Sequence, residues 1–296
     1  MSDKPNILTL GMLISSGYSP KSIKEEIRDN LVPMLKSGKH PFQGIYGYEH
    51  SVIPAIERGL LAAHDILFLG LRGQAKTRLA RQMVALLDEW MPVLASSELN
   101  EDPMIPLTSE SKRLIASLGD QTPITWVHRS DRFFEKLATP DTTVADLIGD
   151  IDPIKAANEK LNFSDERVIH FGMIPRAHRC IFVINELPDL QPRLQVALFN
   201  ILQEGDIQIR GFQKRLELDV QFVFTANPED YTSRGSIVTP LKDRIGSQIH
   251  THYPKSLEVA LKITAQETQA IQNKYPHVTV NAIAKQLIEQ LAFSAR

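Results

Sequence analysis

An α/β fold built on a mainly parallel, doubly wound sheet is what this chain predicts, and three observations carry the prediction. Short apolar runs at 66–69, 180–184 and 222–225 read as buried strands. Helical periodicity follows the first two runs, from Thr77 and from Pro192. The first strand meets its helix through a glycine-containing turn, GLRGQAKT, over Gly70–Thr77. Strands that alternate with helices imply crossovers that cover both faces of a parallel sheet.

Taken in order, the chain opens with Ser19 and Pro20, which read as an N-cap and first helical position. Ile23, Ile27, Leu31 and Leu35 then recur at i+4 and predict an amphipathic helix that ends near Gly38. PFQGIYG (41–47) is a turn, and 52–63 reads as a second helix leading into the strand at 66–69. After Thr77, residues Leu79, Met83 and Leu86 or Leu87 keep helical spacing. Residues 91–132, rich in Pro, Ser and charge, are expected to be a surface insertion with one short helical pattern near 111–118.

The helix from Pro192 to about Gln203 is closed by Gly205, and 207–220 alternates around Gly211 as a β-hairpin should. From Ser256 the pattern turns helical, with a break at Pro276. The expected division is an N-terminal helical segment (1–40), an α/β domain (41–254) and a small helical domain (255–296). The last helix shows no C-cap before Arg296, so that helical domain is expected to be incomplete.

Composition narrows the function classes. With 43% hydrophobic residues in 296, the chain can bury a large core, which excludes global disorder. Lys and Arg number 33 against 35 Asp and Glu, a formal charge of −2, so nothing global favours nonspecific nucleic-acid binding. The single cysteine, Cys180, excludes an internal disulfide framework and a cysteine-rich zinc site. The histidines show no zinc-like spacing, and His250 and His252 alternate along an extended stretch as on a solvated face. No apolar run approaches the roughly 20 residues needed to cross a bilayer, and the N-terminus lacks a basic leader. A soluble, cytoplasmic protein is expected.

The Gly70–Thr77 turn sits where a phosphate loop must sit, between a buried strand and a helix N-terminus. Such a loop surrounds phosphates with backbone N–H groups, Lys76 adds a point charge and Thr77 offers a hydroxyl to Mg²⁺. The candidate nucleotide-binding residues are Gly70, Arg72, Gly73, Gln74, Ala75, Lys76, Thr77 and Arg78. Against the pattern GxxxxGK[ST], Ala75 stands in place of the second glycine and loses easy access to positive φ.

The strand CIFVINEL ends in Asn185 and Glu186. Glu186 can orient and deprotonate water. Asn185, at the metal side of the site with Thr77, can accept a hydrogen bond but brings no charge, so metal binding is expected to be weakened. FVFTANPED places Asn227 at the end of the third strand, where an amide can orient the same water. In TPLKDRIG, Arg244 either stabilises charge on a neighbouring subunit's nucleotide or pairs with Asp243 at the surface.

These motifs in this order resemble the AAA+ ATPases, and within them the group of MoxR-type ATPases and the ATPase subunit of magnesium chelatase. The resemblance covers about 44–254 and rests on GLRGQAKT as Walker A, IFVINE as Walker B, FTANPED as sensor 1 and LKDRIG as the arginine-finger segment. LIGDIDPIKA (147–156), running on to FGMIPRAHRC, resembles that group's helix-2 insert, and 207–220 its hairpin before sensor 1.

The resemblance implies a P-loop core, ATP and Mg²⁺ as ligands, Glu186 as catalytic base and Asn227 as sensor. It places Arg244 as a finger acting in a ring, expected to be a hexamer. Ile45 and Tyr46 match the adenine-pocket position, although ordinary packing of the turn explains them nearly as well. The implied work is remodelling of a client or metallocofactor maturation, with a partner that carries a von Willebrand A-type metal-ion-dependent adhesion domain. Two alternatives remain open. A sigma-54-interacting transcription activator would carry GAFTGA where this chain reads DLIGDIDPIKAANEK. A nucleotide-binding scaffold without hydrolysis is the other, motivated by Ala75 and Asn185.

Overall fold

The computed structural model describes residues 3–158, 160, 165–209, 215–229, 235–272 and 280–295. Its helices are α1 (Leu10–Ser15), α2 (Ile23–Lys36), α3 (Val52–Leu61), α4 (Lys76–Gln82), α5 (Ser109–Leu118), α6 (Val144–Leu147), α7 (Pro153–Asn158), α8 (Met173–Arg176), α9 (Pro192–Glu204), α10 (Thr239–Lys242), α11 (Leu257–Gln272) and α12 (Ala282–Ser294). Its strands are β1 (Ile66–Leu69), β2 (Trp90–Leu94), β3 (Ile124–His128), β4 (Phe133–Leu137), β5 (Gly149–Ile151), β6 (Ile169–Phe171), β7 (Cys180–Asn185), β8 (Asp206–Gln208), β9 (Arg215–Glu217), β10 (Val220–Ala226) and β11 (Ser247–His250).

Five strands form one parallel sheet in the order β11-β1-β10-β7-β4. Alternate side chains sort to its two faces, as the two-residue period of a strand requires. Leu67, Phe182 and Phe224 join the core under α9, while Ile66, Phe68, Val183 and Val223 join the core under α2, α3 and α4. The three expected strands are present, and the alternation with helices follows.

The first long helix begins later than Ser19–Pro20 suggests. Ser22 is its N-cap: the hydroxyl accepts from the Glu25 N–H at 3.2 Å, and the Glu25 carboxylate accepts from the Ser22 N–H at 2.9 Å. This reciprocal cap needs an acidic or amide residue three positions on, which Ser22 has and Ser19 lacks. Asp219 Oδ2 accepts the next orphan donor, the Ile23 N–H, at 2.7 Å. Ile23, Ile27 and Leu31 are fully buried, each contributing roughly 1.5–3 kcal/mol.

The helix after the phosphate loop is shorter than its periodicity implies. It tightens to a 3₁₀ turn over Met83–Leu86 because side chains of α2 take its last backbone groups. Asn30 Nδ2 donates to the Leu86 carbonyl at 3.0 Å, and Glu26 Oε1 accepts from the Asp88 N–H at 2.7 Å.

The segment 91–132 is more ordered than a surface insertion. β2 and β3 pair antiparallel, and Met91, Val93, Leu94 and Ile124 are buried. β4, which follows directly on this stretch and shares its charged composition, is one of the sheet's two edge strands. Within the resembling insert, β5 and β6 form an antiparallel pair around α7. β8 and β9 pair antiparallel as the 207–220 hairpin requires, while its predicted centre at Gly211 and the break at Pro276 lie outside the described residues. No helix among the described residues is long and apolar enough to cross a membrane.

A buried ionic network ties these parts together. Arg132, fully buried, donates to both oxygens of Glu26 on α2 at 2.6 Å and to the Arg179 carbonyl at 3.0 and 2.8 Å. Arg179 in turn reaches Asp102 at 3.1 Å, the Tyr18 hydroxyl at 3.0 Å and the Pro92 carbonyl at 2.8 Å. Burial pushes the neighbouring Cys180 thiol up to about 12, which leaves it a packing group rather than a nucleophile. Burial also holds His178 down at about 3, so its neutral ring accepts from the Asp219 N–H at 3.0 Å.

Glu26→Ala leaves the Arg132 guanidinium buried without its carboxylate and is expected to cost about 3–5 kcal/mol, read from the urea midpoint. The double variant Glu26→Ala/Arg132→Met is expected to be less destabilised than the sum of its single variants.

Candidate functional site

The carboxyl ends of β1, β10 and β7 converge with the N-terminus of α4, the usual position for a ligand crevice in a parallel sheet. A cavity of about 410 Å³ there is lined by 72–78 of the loop, by Leu137, and by Asn185, Glu186 and Thr225. Every candidate loop residue from Arg72 to Arg78 thus meets Asn185 and Glu186 at one place.

Gly70 and Gln74 shape the loop rather than its opening. A Cβ on Gly70 would lie 1.9 Å from Thr251 Oγ1 and 2.2 Å from Gln74 Oε1, so only glycine fits. The buried Gln74 side chain accepts from the Thr251 hydroxyl at 2.7 Å and from the Leu71 N–H at 3.0 Å, stapling the loop to the end of β11. Lys76 is 8% exposed and lies back across the loop, donating to the Gly70 carbonyl at 2.5 Å and the Leu71 carbonyl at 2.8 Å.

Ala75 adopts the left-handed conformation (φ 58°, ψ 19°) that the pattern's glycine would take without strain. The alanine therefore preserves the loop's path and bears its conformational cost, about 1–2 kcal/mol. Glu186 is left-handed too (φ 54°, ψ 52°), directly after β7, with its N–H donating to Thr225 Oγ1 at 3.1 Å. That turn takes the chain off the strand and leaves the Glu186 side chain on the cavity.

Asn185 is fixed by two neighbours. Its Oδ1 accepts from the Thr225 hydroxyl at 3.1 Å, and its Nδ2 donates to Glu135 Oε1 at 2.6 Å. Glu135, on β4, also pairs with Arg81 of α4 at 2.6 Å. Neither Thr225 nor Glu135 was among the sequence candidates. Thr225 lies inside FTANPED, but Glu135 sits in a five-residue strand whose FFEKL pattern gives no functional signal.

Of the three candidate catalytic residues, two lie outside this cavity. Asn227 is buried and accepts from the Glu229 N–H at 3.2 Å, capping the turn that follows β10. Arg244 is exposed and does not pair with Asp243. It donates to Gln203 Oε1 at 2.9 Å and the Pro240 carbonyl at 2.8 Å, and lies 5.0 Å over the Phe199 ring of α9.

Ile45 and Tyr46 line a second, smaller hollow beside the loop. Gly73, Ala75 and Arg78 border it on one side, and Ile263 and Gln266 of α11 on the other. Gln266 Nε2 donates to the Gly44 carbonyl at 3.1 Å, and Arg78 pairs with Glu267 at 2.6 Å. His252 is not on a solvated face: it is half-buried, edge-to-face with Tyr48, 2.9 Å from Ser51 Oγ, and lines the same hollow. The α11 contributions come from helix turns that the local sequence around the loop could not indicate.

Among the described residues no group of three or more His, Cys, Asp or Glu side chains is arranged to hold a metal ion. A divalent ion at this cavity must bring much of its coordination with it, as Mg²⁺ bound to phosphates does.

Comparison with known proteins agrees with this architecture. Residues 124–245 match the family described as AAA domain (dynein-related subfamily). Among solved structures, the complex between subunits BchI and BchD of magnesium chelatase aligns with a TM-score of 0.54 at 19% identity, covering 86% of this chain and 74% of that one. NtrX from Brucella abortus aligns with a TM-score of 0.49 at 14% identity over 87% of this chain and 50% of that chain, so this chain spans about half the length of NtrX. The matched segment 124–245 contains Asn185, Glu186, Asn227 and Arg244 but begins after the phosphate loop. The reading of the loop therefore stands on its own geometry.

Ala75→Gly removes the left-handed strain at the loop and is expected to stabilise the fold by about 1 kcal/mol, a rise in melting temperature measurable by calorimetry. An unchanged or lower melting temperature would show that the alanine methyl packs well enough to offset its backbone.

Proposed function

We propose that this chain, an AAA+ protein by its fold and its AAA domain, binds and hydrolyses ATP with Mg²⁺ at the cavity beneath Gly70–Thr77. The observation that carries the reading is that Lys76 and Thr77 share one cavity with Asn185 and Glu186 at the carboxyl ends of parallel strands.

The donor set fits a magnesium triphosphate. The first N–H groups of α4 have no intrahelical acceptors, the Lys76 ammonium exchanges weak carbonyl partners for phosphate oxygens, and the Thr77 hydroxyl is a hard oxygen ligand. Bound there, Mg²⁺ supplies charge that offsets the negative charge of the phosphates. Ile45, Tyr46 and Ile263 offer apolar surface to adenine in the neighbouring hollow.

Glu186 serves as general base toward a water aligned with the terminal phosphate. The exposed Arg244 lies away from its own cavity, against α9, where only a nucleotide on another copy could use it. The active form is therefore a ring, a hexamer in our reading, with sites shared between subunits. The work done on a partner is chaperone-like remodelling or metallocofactor maturation, a reading supported by the fold shared with the magnesium chelatase complex. A scaffold without hydrolysis is less favoured, because Glu186 lines the cavity with the loop.

Lys76→Ala is expected to weaken ATP binding by about 2 kcal/mol or more in a calorimetric titration, the cost of losing a charge-assisted hydrogen bond. Unchanged affinity in a folded variant would overturn the phosphate-loop reading.

Arg244→Ala is expected to bind ATP normally and hydrolyse it poorly, and Glu186→Gln likewise. Mixed together, the two variants can form interfaces that pair an intact Glu186 with an intact Arg244, so steady-state activity should recover on mixing. Full activity of Arg244→Ala alone would reduce the arginine to its contacts with Gln203 and Phe199.

A further inference from the structure

Asn185 stands where a carboxylate would be expected at a Mg–nucleotide site, and the structure puts a carboxylate one strand away. β4 and β7 run parallel with Leu137 opposite Asn185 and Glu135 opposite Val183. Two residues apart on one strand, Glu135 and Leu137 share a face of the sheet with Asn185. Leu137 and Asn185 both line the phosphate-loop cavity, and Glu135 Oε1 lies 2.6 Å from Asn185 Nδ2.

The amide's orientation follows from its two partners. Thr225 donates its only hydroxyl proton to Asn185 Oδ1, while its oxygen accepts the Glu186 N–H. The Nδ2 group is left facing Glu135, whose carboxylate can only accept. An aspartate at 185 would set a second carboxylate against the first, and one of the two would be driven to hold a proton. Asn185 and Glu135 are thus complementary: the amide is tolerated, and needed, because the charge has moved to β4.

Arg81 does not cancel that charge. It lies 2.6 Å from the carboxylate but on the solvent side, 65% exposed on its side chain against 27% for Glu135, so water and salt screen its share of the pair. Arg81 also lies four residues after Thr77, one turn along the same face of α4, so Glu135 stands on the side of the helix that carries the Thr77 hydroxyl.

We propose that Glu135 supplies, through its hydrogen bond to Asn185, the negative charge that draws a divalent cation to the Thr77 side of this cavity. The proposal rests on the nucleotide reading above. It assigns the acidic function to a strand pair rather than to the last residue of β7, and it makes Asn185 the positioning partner of Glu135.

The test is binding rather than turnover. Mn²⁺ uptake is followed by electron paramagnetic resonance in the presence of a non-hydrolysable ATP analogue, with analogue binding in chelator measured separately. Glu135→Gln is expected to weaken Mn²⁺ about tenfold while analogue binding without metal is kept. Asn185→Asp alone is expected to change Mn²⁺ affinity less than twofold. Combined as Glu135→Gln/Asn185→Asp, the charge returns to β7 beside a neutral amide, and Mn²⁺ affinity should recover most of the tenfold loss.

Glu135→Gln within twofold of the parent chain overturns the proposal, and so does a double variant that fails to recover, since the charges would then not be interchangeable. If Glu135→Gln does not fold, Glu135→Asp replaces it, with a several-fold weakening expected and equal affinity overturning the role. A parent chain that takes up no analogue at all would instead remove the nucleotide reading, leaving this one without its premise.

Discussion

One buried guanidinium sets the geometry on which the site depends. Arg132 immediately precedes β4, and Arg179, whose carbonyl it holds, immediately precedes β7. Its other partner, Glu26, ties α2 to the residue before β4 and also accepts the Asp88 N–H beyond the helix of the phosphate loop. The relative height of β4 and β7 is therefore fixed by their own ladder together with a planar fork that commits four donors inside the protein. A lysine could not reproduce this, since an ammonium lacks the bidentate geometry. Height matters here because Leu137 and Asn185, opposite one another, both open onto the cavity.

The site itself is held under strain. Ala75 and Glu186, on opposite sides of the cavity, are both left-handed without being glycine, at φ values of 58° and 54°. Such residues persist only where their surroundings over-determine them. Around Ala75 the constraint is the Gln74–Thr251 staple and the buried start of α4. Around Glu186 it is the Thr225 hydroxyl and the 3₁₀ turn over Leu187–Asp189 that the glutamate caps. These constraints, which offset the strain at both positions, keep the loop and the glutamate aimed at a common volume.

Most of the central fold was legible because its signals are local. The short apolar runs at 66–69, 180–184 and 222–225 fall inside Ile66–Leu69, Cys180–Asn185 and Val220–Ala226, as strands buried on both faces require. The loop, Asn185 and Glu186 were legible for the same reason, since each follows directly on such a strand. β4 was not, because an edge strand is half-exposed and its FFEKL sequence resembles the charged stretch before it. Ser19–Pro20 carries the commoner cap signature, and only the glutamate three residues on marks Ser22 as the true cap. Glu135, Thr251 and the α11 side chains were out of reach for a different reason: pairing across strands and docking of a distant helix leave no mark on local periodicity.

The contrast between the two rims of the nucleotide region carries a mechanical consequence. On the sheet side, β11, β1 and β10 are joined by buried ladders, and Thr251 and Gln74 lock the loop to them. On the other side, α11 meets α4 through Arg78 and Glu267, with side chains 44% and 56% exposed, and the 41–47 turn through one hydrogen bond from the Gln266 amide to the Gly44 carbonyl. Exposed pairs of that kind are worth about 1 kcal/mol or less. These polar contacts therefore add little beside the buried ladders and the Gln74–Thr251 staple that hold Lys76, Thr77 and Glu186. The chemical groups sit on the stiff side of the site, and the weaker polar ties lie on the side that touches Arg78.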